Sequence, residues 1–184
     1  MAESPAALLQ KLAECAIELT GAESAGVSLL EPDGADGEFR WAATAGEFFP
    51  FLGGKMPRNF SPCGTVLDRN ATVLMTDPAR FYPYVANFKP RIEEVLLIPF
   101  YQSRKPIGTV WVIAHSRARK FDAEDVRLIT SVSKFASVAV NALSGSIAHD
   151  SLLRKVATQA RVFDTTLSAI TDFAYIVDRD CRFV

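Results

Sequence analysis

Val95 to Tyr101 is a nearly unbroken apolar run, and Pro106 to His115 is a second run rich in β-branched and aromatic residues. Each is too short to span a bilayer, and each favours extended backbone. The polar stretch 102–105 between them reads as a hairpin loop. Strands covered on both faces show continuous rather than alternating apolarity. The hairpin is therefore predicted to lie mid-sheet, with the rest of the chain supplying its covers. By alternation Thr109, Trp111 and His115 share one face of the second strand, and Val110, Val112 and Ala114 share the other. The pattern leaves open which face meets a pocket.

The remaining elements follow in order. Pro5 to Thr20 has helical spacing, with Ser4 as N-cap, Pro5 at the first helical position and Gly21 as the stop. Ala25–Leu30 and Glu38–Ala45 read as an antiparallel pair around a turn over 31–37. Gly46 to Arg58 is loop-like, yet it carries Phe48, Phe49, Phe51 and Met56, so it is expected to pack over something. Ser61 and Pro62 open a short helix, and Thr72–Met75 is a brief strand. Asp77 to Pro90 is irregular and aromatic-rich. Asp122 caps a last helix, with Glu124 and Asp125 in the first turn, where the helix dipole favours negative charge. One apolar stripe of that helix runs through Val126, Ile129, Ala136, Val140, Leu143 and Ile147, and a second through Leu128, Val132, Phe135 and Ala139. One stripe can cover the sheet; the other needs a partner.

Composition narrows the classes. The 184 residues are 49% apolar with a formal net charge of −1, enough for a real core and without a Lys/Arg cluster. A nucleic-acid or anionic-membrane partner is not expected. The N-terminus lacks a basic stretch followed by an apolar one, so no signal peptide is read there. Cys15, Cys63 and Cys181 are far apart and odd in number, which argues against a disulfide framework and a structural zinc site. A cytoplasmic protein with reduced thiols is expected, with no membrane insertion and no metal.

The order of elements is similar to a GAF domain, and three local matches carry the resemblance. Ser61-Pro62-Cys63-Gly64-Thr65-Val66-Leu67 followed by 71–77 resembles the family's short helix, strand and Asp. Leu97-Ile98-Pro99-Phe100 with Pro106-Ile107-Gly108-Thr109-Val110 resembles its central hairpin. Phe121-Asp122-Ala123-Glu124-Asp125 resembles the start of its last helix. The resemblance spans residues 5–143 and implies an α+β fold. In it, an antiparallel sheet of about five to six strands carries the first and last helices on one face and loops and short helices on the other. Residues 161–184, with Phe173-Ala174-Tyr175-Ile176-Val177-Asp178-Arg179-Asp180, resemble the opening of a PAS domain. The expected organisation is a GAF domain over 5–143, a linker helix over 144–164 and the start of a PAS domain over 165–184, within a longer signalling protein of the sensor histidine kinase type.

Candidate ligand-binding residues are Phe60, Cys63, Phe81, Tyr82, Tyr84, Phe88, Trp111 and His115. Cys63, at a helix N-terminus, is either a thiol of lowered pKa or a small apolar filler. Some GAF relatives attach bilins to cysteine, but the chain has no Cys-His dipeptide, which argues against a bilin. His115 is either a ligand for a small molecule or haem iron, or a solvated strand-end imidazole; a haem is not expected, and the cofactor is left unassigned. The five loop aromatics either line a pocket for a flat or apolar ligand or simply pack beneath two loops. His149 is followed by an acid, Asp150, but lacks the continuation of a kinase phosphoacceptor box. Phe121 and Asp125 read as helix-start structure. No Gly-rich phosphate loop, paired metal-spaced histidines or Ser-His-Asp set is evident, so no catalytic residue is assigned.

The expected function is a regulatory sensor that binds a small molecule and relays its state through a dimeric last helix, Ala136, Val140, Leu143 and Ile147 being the candidate interface. The homodimer is expected to use the first and last helices and to act on downstream PAS and effector domains. The alternatives are a cysteine-dependent reductase with Cys63 as nucleophile and a ligand-free dimerisation module.

Overall fold

The computed structural model describes residues 4–31, 37–138 and 140–141. Helix α1 (Pro5–Thr20) starts where the Ser4 hydroxyl accepts the Ala7 N–H at 3.2 Å. It ends at Gly21, in the left-handed conformation, whose N–H donates to the Ile17 carbonyl. Both ends match the capping read from the sequence. Six strands follow: β1 (Ser24–Glu31), β2 (Glu38–Gly46), β3 (Lys55–Pro57), β4 (Val73–Thr76), β5 (Glu94–Gln102) and β6 (Lys105–Ala114). Helix α2 (Pro62–Arg69) precedes β4, three short 3-10 turns punctuate the loops, and a last helix, α3, covers 123–138 and 140–141.

The strands form one antiparallel sheet in the order β3-β2-β1-β6-β5-β4. The central hairpin is β5–β6. Its turn residues Ser103 and Arg104 both have positive φ, as a two-residue hairpin turn requires. His115 lies one residue past β6. The segment read as a loop over 46–58 contains β3, which pairs with Glu38–Arg40. A three-residue strand ending in proline offers too little alternation to be seen in sequence.

The two sheet faces are covered differently. On one face α1 (Leu9, Ala13, Ala16) and α3 (Ile129, Val132, Ala136) pack on aliphatic residues such as Val27, Leu96, Val110 and Val112. On the other, α2 and the aromatic loops pack on Trp41, Val95, Leu97, Trp111 and Ile113. The alternation in β6 therefore resolves: Thr109, Trp111 and His115 face the loops. In β2 alternation alone would put Trp41 and Ala43 on one face. A register shift against β1, between Val27 and Ser28, instead sends Trp41 to the loop side and Ala43 to the helix side.

Two residues of the candidate dimer stripe face inward. Ala136 is fully buried between α3 and the sheet and Val140 packs against the same core, because these positions face their own sheet. Among the described residues of α3, the large apolar side chains left exposed are Phe135 and Val138, each 66% accessible. Leu143, Ile147, Ala139, His149, Cys181, the linker over 144–164 and the PAS-like residues 165–184 lie outside the described residues. No helix among the described residues is long and apolar enough to cross a membrane, and no group of metal-ligating side chains occurs among them.

Candidate functional site

The loop face of the sheet encloses a cavity of about 30 Å³, room for about one water molecule. Trp41, Phe48, Cys63, Phe88 and Trp111 line it together with aliphatic residues of β5 and β6, and no charged side chain takes part. The large rings fit because glycines make space. A Cβ on Gly26 would lie 2.3 Å from Cζ2 of Trp111, so the indole can cross β1 only where position 26 has no side chain. The Trp111 Nε1–H then reaches the Ser28 hydroxyl at 2.9 Å. Trp41 packs among Phe88, Phe48 and Trp111, with ring centroids 5.3, 5.8 and 5.8 Å away. These offset and tilted contacts are the favoured aromatic geometry. Its indole N–H has no partner, and it is the one buried side-chain nitrogen or oxygen in that condition among the described residues.

Cys63 is placed by the first turn of α2. The Ser61 hydroxyl accepts the Gly64 N–H at 3.1 Å, and a side chain at Gly64 would collide with the Arg58 carbonyl. The thiol is 1% exposed. Its sulfur accepts from the Thr109 hydroxyl at 3.1 Å and lies 3.6 Å from the Ser28 oxygen. Burial pushes the Cys63 thiol above its ordinary range despite these bonds. The helix N-terminus read in the sequence as an acidifying influence is thus overridden by desolvation.

His115 stands at the margin of this region. Its ring stacks on Phe48 with centroids 5.2 Å apart. Nδ1 donates to the Arg91 carbonyl at 2.8 Å, and Nε2 is hydrogen-bonded to the Ser24 hydroxyl at 2.7 Å. Ser24 also accepts the Phe48 N–H at 3.1 Å and is fully buried. This Ser–His pair, 91 residues apart in sequence, holds the cavity wall in place and offers no open nucleophile. The Glu23 carboxylate accepts the N–H groups of His115 and Ser116. Burial works against its charge, but those bonds prevail and hold its pKa below the ordinary value.

The other candidates divide. Phe60 and Phe81 are 51% and 63% exposed and do not line the cavity. Tyr82 is buried beside it, with its hydroxyl 2.5 Å from that of Thr65. Tyr84 is half-buried and donates to the Phe60 carbonyl at 3.0 Å; burial, then the neighbouring Cys63 and Tyr82, push its phenol up. Of the eight candidates, Cys63, Phe88 and Trp111 line the cavity. Trp41 and Phe48 were missed. Phe48 had the signal of an apolar side chain on a loop, whereas Trp41 was hidden by the register shift in β2.

A buried polar link joins β5 to the segment that leads into α3, beside the bonds that Tyr101 of β5 makes with Ser137 and Asn141 of α3. Glu94, adjacent to the lining residue Val95, is 4% exposed. Its carboxylate accepts from Thr76 of β4 at 3.0 Å, from Lys120 at 3.2 Å and from the Phe121 N–H at 2.7 Å. Burial raises its pKa, but these donors outweigh it and hold the carboxyl below the ordinary value.

The family model described as GAF domain matches residues 2–141. Among solved structures, the chain is similar to the GAF-B domain of DevS from Mycobacterium smegmatis, at 22% identity and TM-score 0.63, covering 79% of this chain and 99% of that one. It is also similar to the free methionine-R-sulfoxide reductase of Neisseria meningitidis, solved with its substrate, at 20% identity and TM-score 0.65 over 78% and 81% of the two chains. The blue-light-absorbing form of the Thermosynechococcus elongatus PixJ GAF domain aligns at 14% identity and TM-score 0.66 over 82% and 92%. At these identities the likeness is one of fold. No curated protein matches in sequence. With its six-stranded antiparallel sheet, its helices on one face and a family match over most of its length, the chain belongs to the GAF domain family of regulatory and sensory modules.

Proposed function

We propose that this GAF domain is the sensor of a cytoplasmic signal-transduction protein. A small molecule occupies the loop-face site and biases how α3 packs. Two copies pair through the first and last helices, and the paired last helices pass the bias to a following PAS domain and an effector of the histidine kinase type. The observation that carries this reading is Glu94: one buried carboxylate of β5, next to the lining residue Val95, accepts from Thr76 of β4 and from the Phe121 N–H just ahead of α3. A ligand that changes the first is thereby connected to the second, provided its affinity differs between the two arrangements of the helix. Phe135 and Val138 on the outer side of α3 are the residues this reading assigns to the dimer. Native mass spectrometry tests it. The chain is expected to be a dimer, and the double substitution Phe135→Glu, Val138→Glu is expected to yield a folded monomer. A monomeric parent, or a variant that stays dimeric, breaks the relay.

A cysteine-dependent reductase is the second reading, favoured by the presence of Cys63 in the cavity wall. It requires an accessible thiolate, and burial of Cys63 weighs against it. The alkylation rate of that thiol separates the two readings.

A further inference from the structure

Tyr101, near the end of β5, is bonded to both the helix that covers the loop face and the helix that ends the domain. A register shift against β6 falls between Phe100 and Tyr101. Shifts of this kind bend a strand and re-aim its groups. Here the Tyr101 N–H donates to the Ser137 hydroxyl of α3 at 2.9 Å, and its carbonyl accepts from the Asn141 side-chain amide at 3.2 Å. Asn141 also accepts the N–H of Ser103, in the hairpin turn, at 3.1 Å and donates to the Ser137 carbonyl at 2.8 Å. The end of the hairpin is thus tied to α3 at several points. The Tyr101 side chain serves a different element: its hydroxyl donates to Asn70 Oδ1 at 2.9 Å. Asn70 is the left-handed C-cap of α2, and its own N–H closes on the Leu67 and Val66 carbonyls. Among the described residues, no hydrogen bond or ion pair joins α2 to α3 directly. A cleft of about 270 Å³ opens beside the contact, lined by Asn70 and Thr72 and by Thr130, Lys134 and Ser137 of α3. Tyr101 belongs to its lining and spans what the cleft keeps apart.

We propose that Tyr101 is the positioning residue that couples α2 to the far end of α3. A displacement of α2 carries Asn70 with it, Asn70 draws on the Tyr101 hydroxyl, and the Tyr101 main chain delivers the change to Ser137 and Asn141. This deepens the sensor reading and rests on it, but it requires no particular ligand. Little slack lies along the route. Asn70 is held by the cap it forms, and a tyrosine ring has only two side-chain torsions. The route also arrives elsewhere than the Glu94 link does. Glu94 meets the chain at Phe121, ahead of α3, whereas Tyr101 meets α3 at Ser137 and Asn141. A change in α2 is therefore read at the end from which the chain continues. Coupling of this kind is a measurable non-additivity between residues, not a matter of proximity.

The test perturbs α2 at another residue and asks whether α3 responds only when the Tyr101 hydroxyl is present. Thr65→Val removes the bond between the Thr65 and Tyr82 hydroxyls. The readout is the nitrogen–proton spectrum of the full 184-residue chain. In the parent, Thr65→Val is expected to shift the amide signals of Ser137 and Asn141. Tyr101→Phe keeps the ring and the main-chain bonds and loses only the hydroxyl. In that background the same substitution is expected to shift those signals by no more than about half as much. Asn70→Gly cuts the same bond from the other side while keeping a residue at ease in the left-handed cap, so it should match Tyr101→Phe and serves if that variant fails to fold. A residue that only supports the fold would lower stability and leave the response to Thr65→Val unchanged. Asn141→Ala is expected to speed hydrogen exchange of the Ser103 amide about tenfold. No shift at Ser137 and Asn141 in the parent, or full-size shifts in both Tyr101→Phe and Asn70→Gly, overturns the proposal. So does a Thr65→Val response confined to 121–126, which places the coupling at Glu94, or a Ser103 amide indifferent to Asn141→Ala. A chain that is monomeric in native mass spectrometry yet shows the Tyr101-dependent response breaks the dimer relay and leaves this coupling standing. A dimer that lacks the response does the reverse.

Discussion

The two faces of the sheet solve the same packing problem with opposite materials. The helix face is built around small and aliphatic residues, with Ala13, Ala16, Ala25, Ala43, Ala45 and Ala136 all buried. Helices present regular ridges, and small residues at the contact let them lie close to the sheet. The loop face has no such regularity. Its covers are short turns, and the space is filled by Phe39, Trp41, Phe48, Tyr82 and Trp111. Large rings on irregular backbone leave a cavity and one donor without an acceptor. One face is suited to holding the fold and the other to receiving something.

The strongest way to break this comparison is to open a void in the helix face. Ile129 is fully buried between α3 and the sheet. Ile129→Ala is expected to cost about 2–5 kcal/mol, read as a lower urea midpoint at unchanged slope. Truncating half-buried Phe88, beside an existing cavity, should cost distinctly less. Equal losses at the two positions would mean that the loop face is packed as tightly as the helix face.

The link between the faces gives a smaller, pH-dependent effect. Glu94 has its folded pKa held below the unfolded value of 4.5. Its contribution is therefore present above about pH 4.5 and lost as the pH falls through the lower folded value. Glu94→Gln should cost about 1–3 kcal/mol at neutral pH, since the Phe121 N–H and the Thr76 hydroxyl lose a charged acceptor. It should also flatten the acid limb of the stability profile. The limb is not expected to vanish, because Glu23 is lowered with the same sign. A Glu94→Gln variant with the parent's acid limb would show that the two faces are not joined through this carboxylate.

How much of this was legible depended on whether local pattern or long-range geometry decided it. The central hairpin could be read because strands buried on both faces write themselves as apolar runs, and α1 because Ser4 and Gly21 mark its ends. The faces of β6 followed from alternation, although only the fold shows that Thr109, Trp111 and His115 meet the loops. Trp41 was not legible, since one register shift in β2 reverses its face and nothing local announces it. On α3, Ala136 and Val140 of the candidate interface turn out to face the sheet. Spacing alone cannot tell Ala136, against the sheet, from Phe135, in solvent. The Ser24–His115 pair could not be foreseen because β1 and β6 become neighbours only in the folded sheet.

The smallest expected effect sharpens the comparison at Cys63, where the loop face either does chemistry or only packs. Cys63→Ala removes a small buried group, and a cost of about 1 kcal/mol is expected. Burial raises the thiol's folded pKa above its ordinary value of 9.0. Its contribution is then fully present below about pH 9 and declines as the pH rises through the folded value, so Cys63→Ala should flatten the alkaline limb. Cys15, on α1 and partly exposed, provides the internal standard for reactivity. In the native protein at neutral pH, iodoacetamide is expected to modify Cys15 well before Cys63, with mass spectrometry of the peptides reporting each site. If Cys63 is instead the faster thiol, the loop face presents an accessible thiolate, and the reductase reading displaces the sensor. If it is the slower one, and urea brings the two rates together, its sulfur serves the cavity wall through Thr109 and Ser28 as a packed, hydrogen-bonded neutral group.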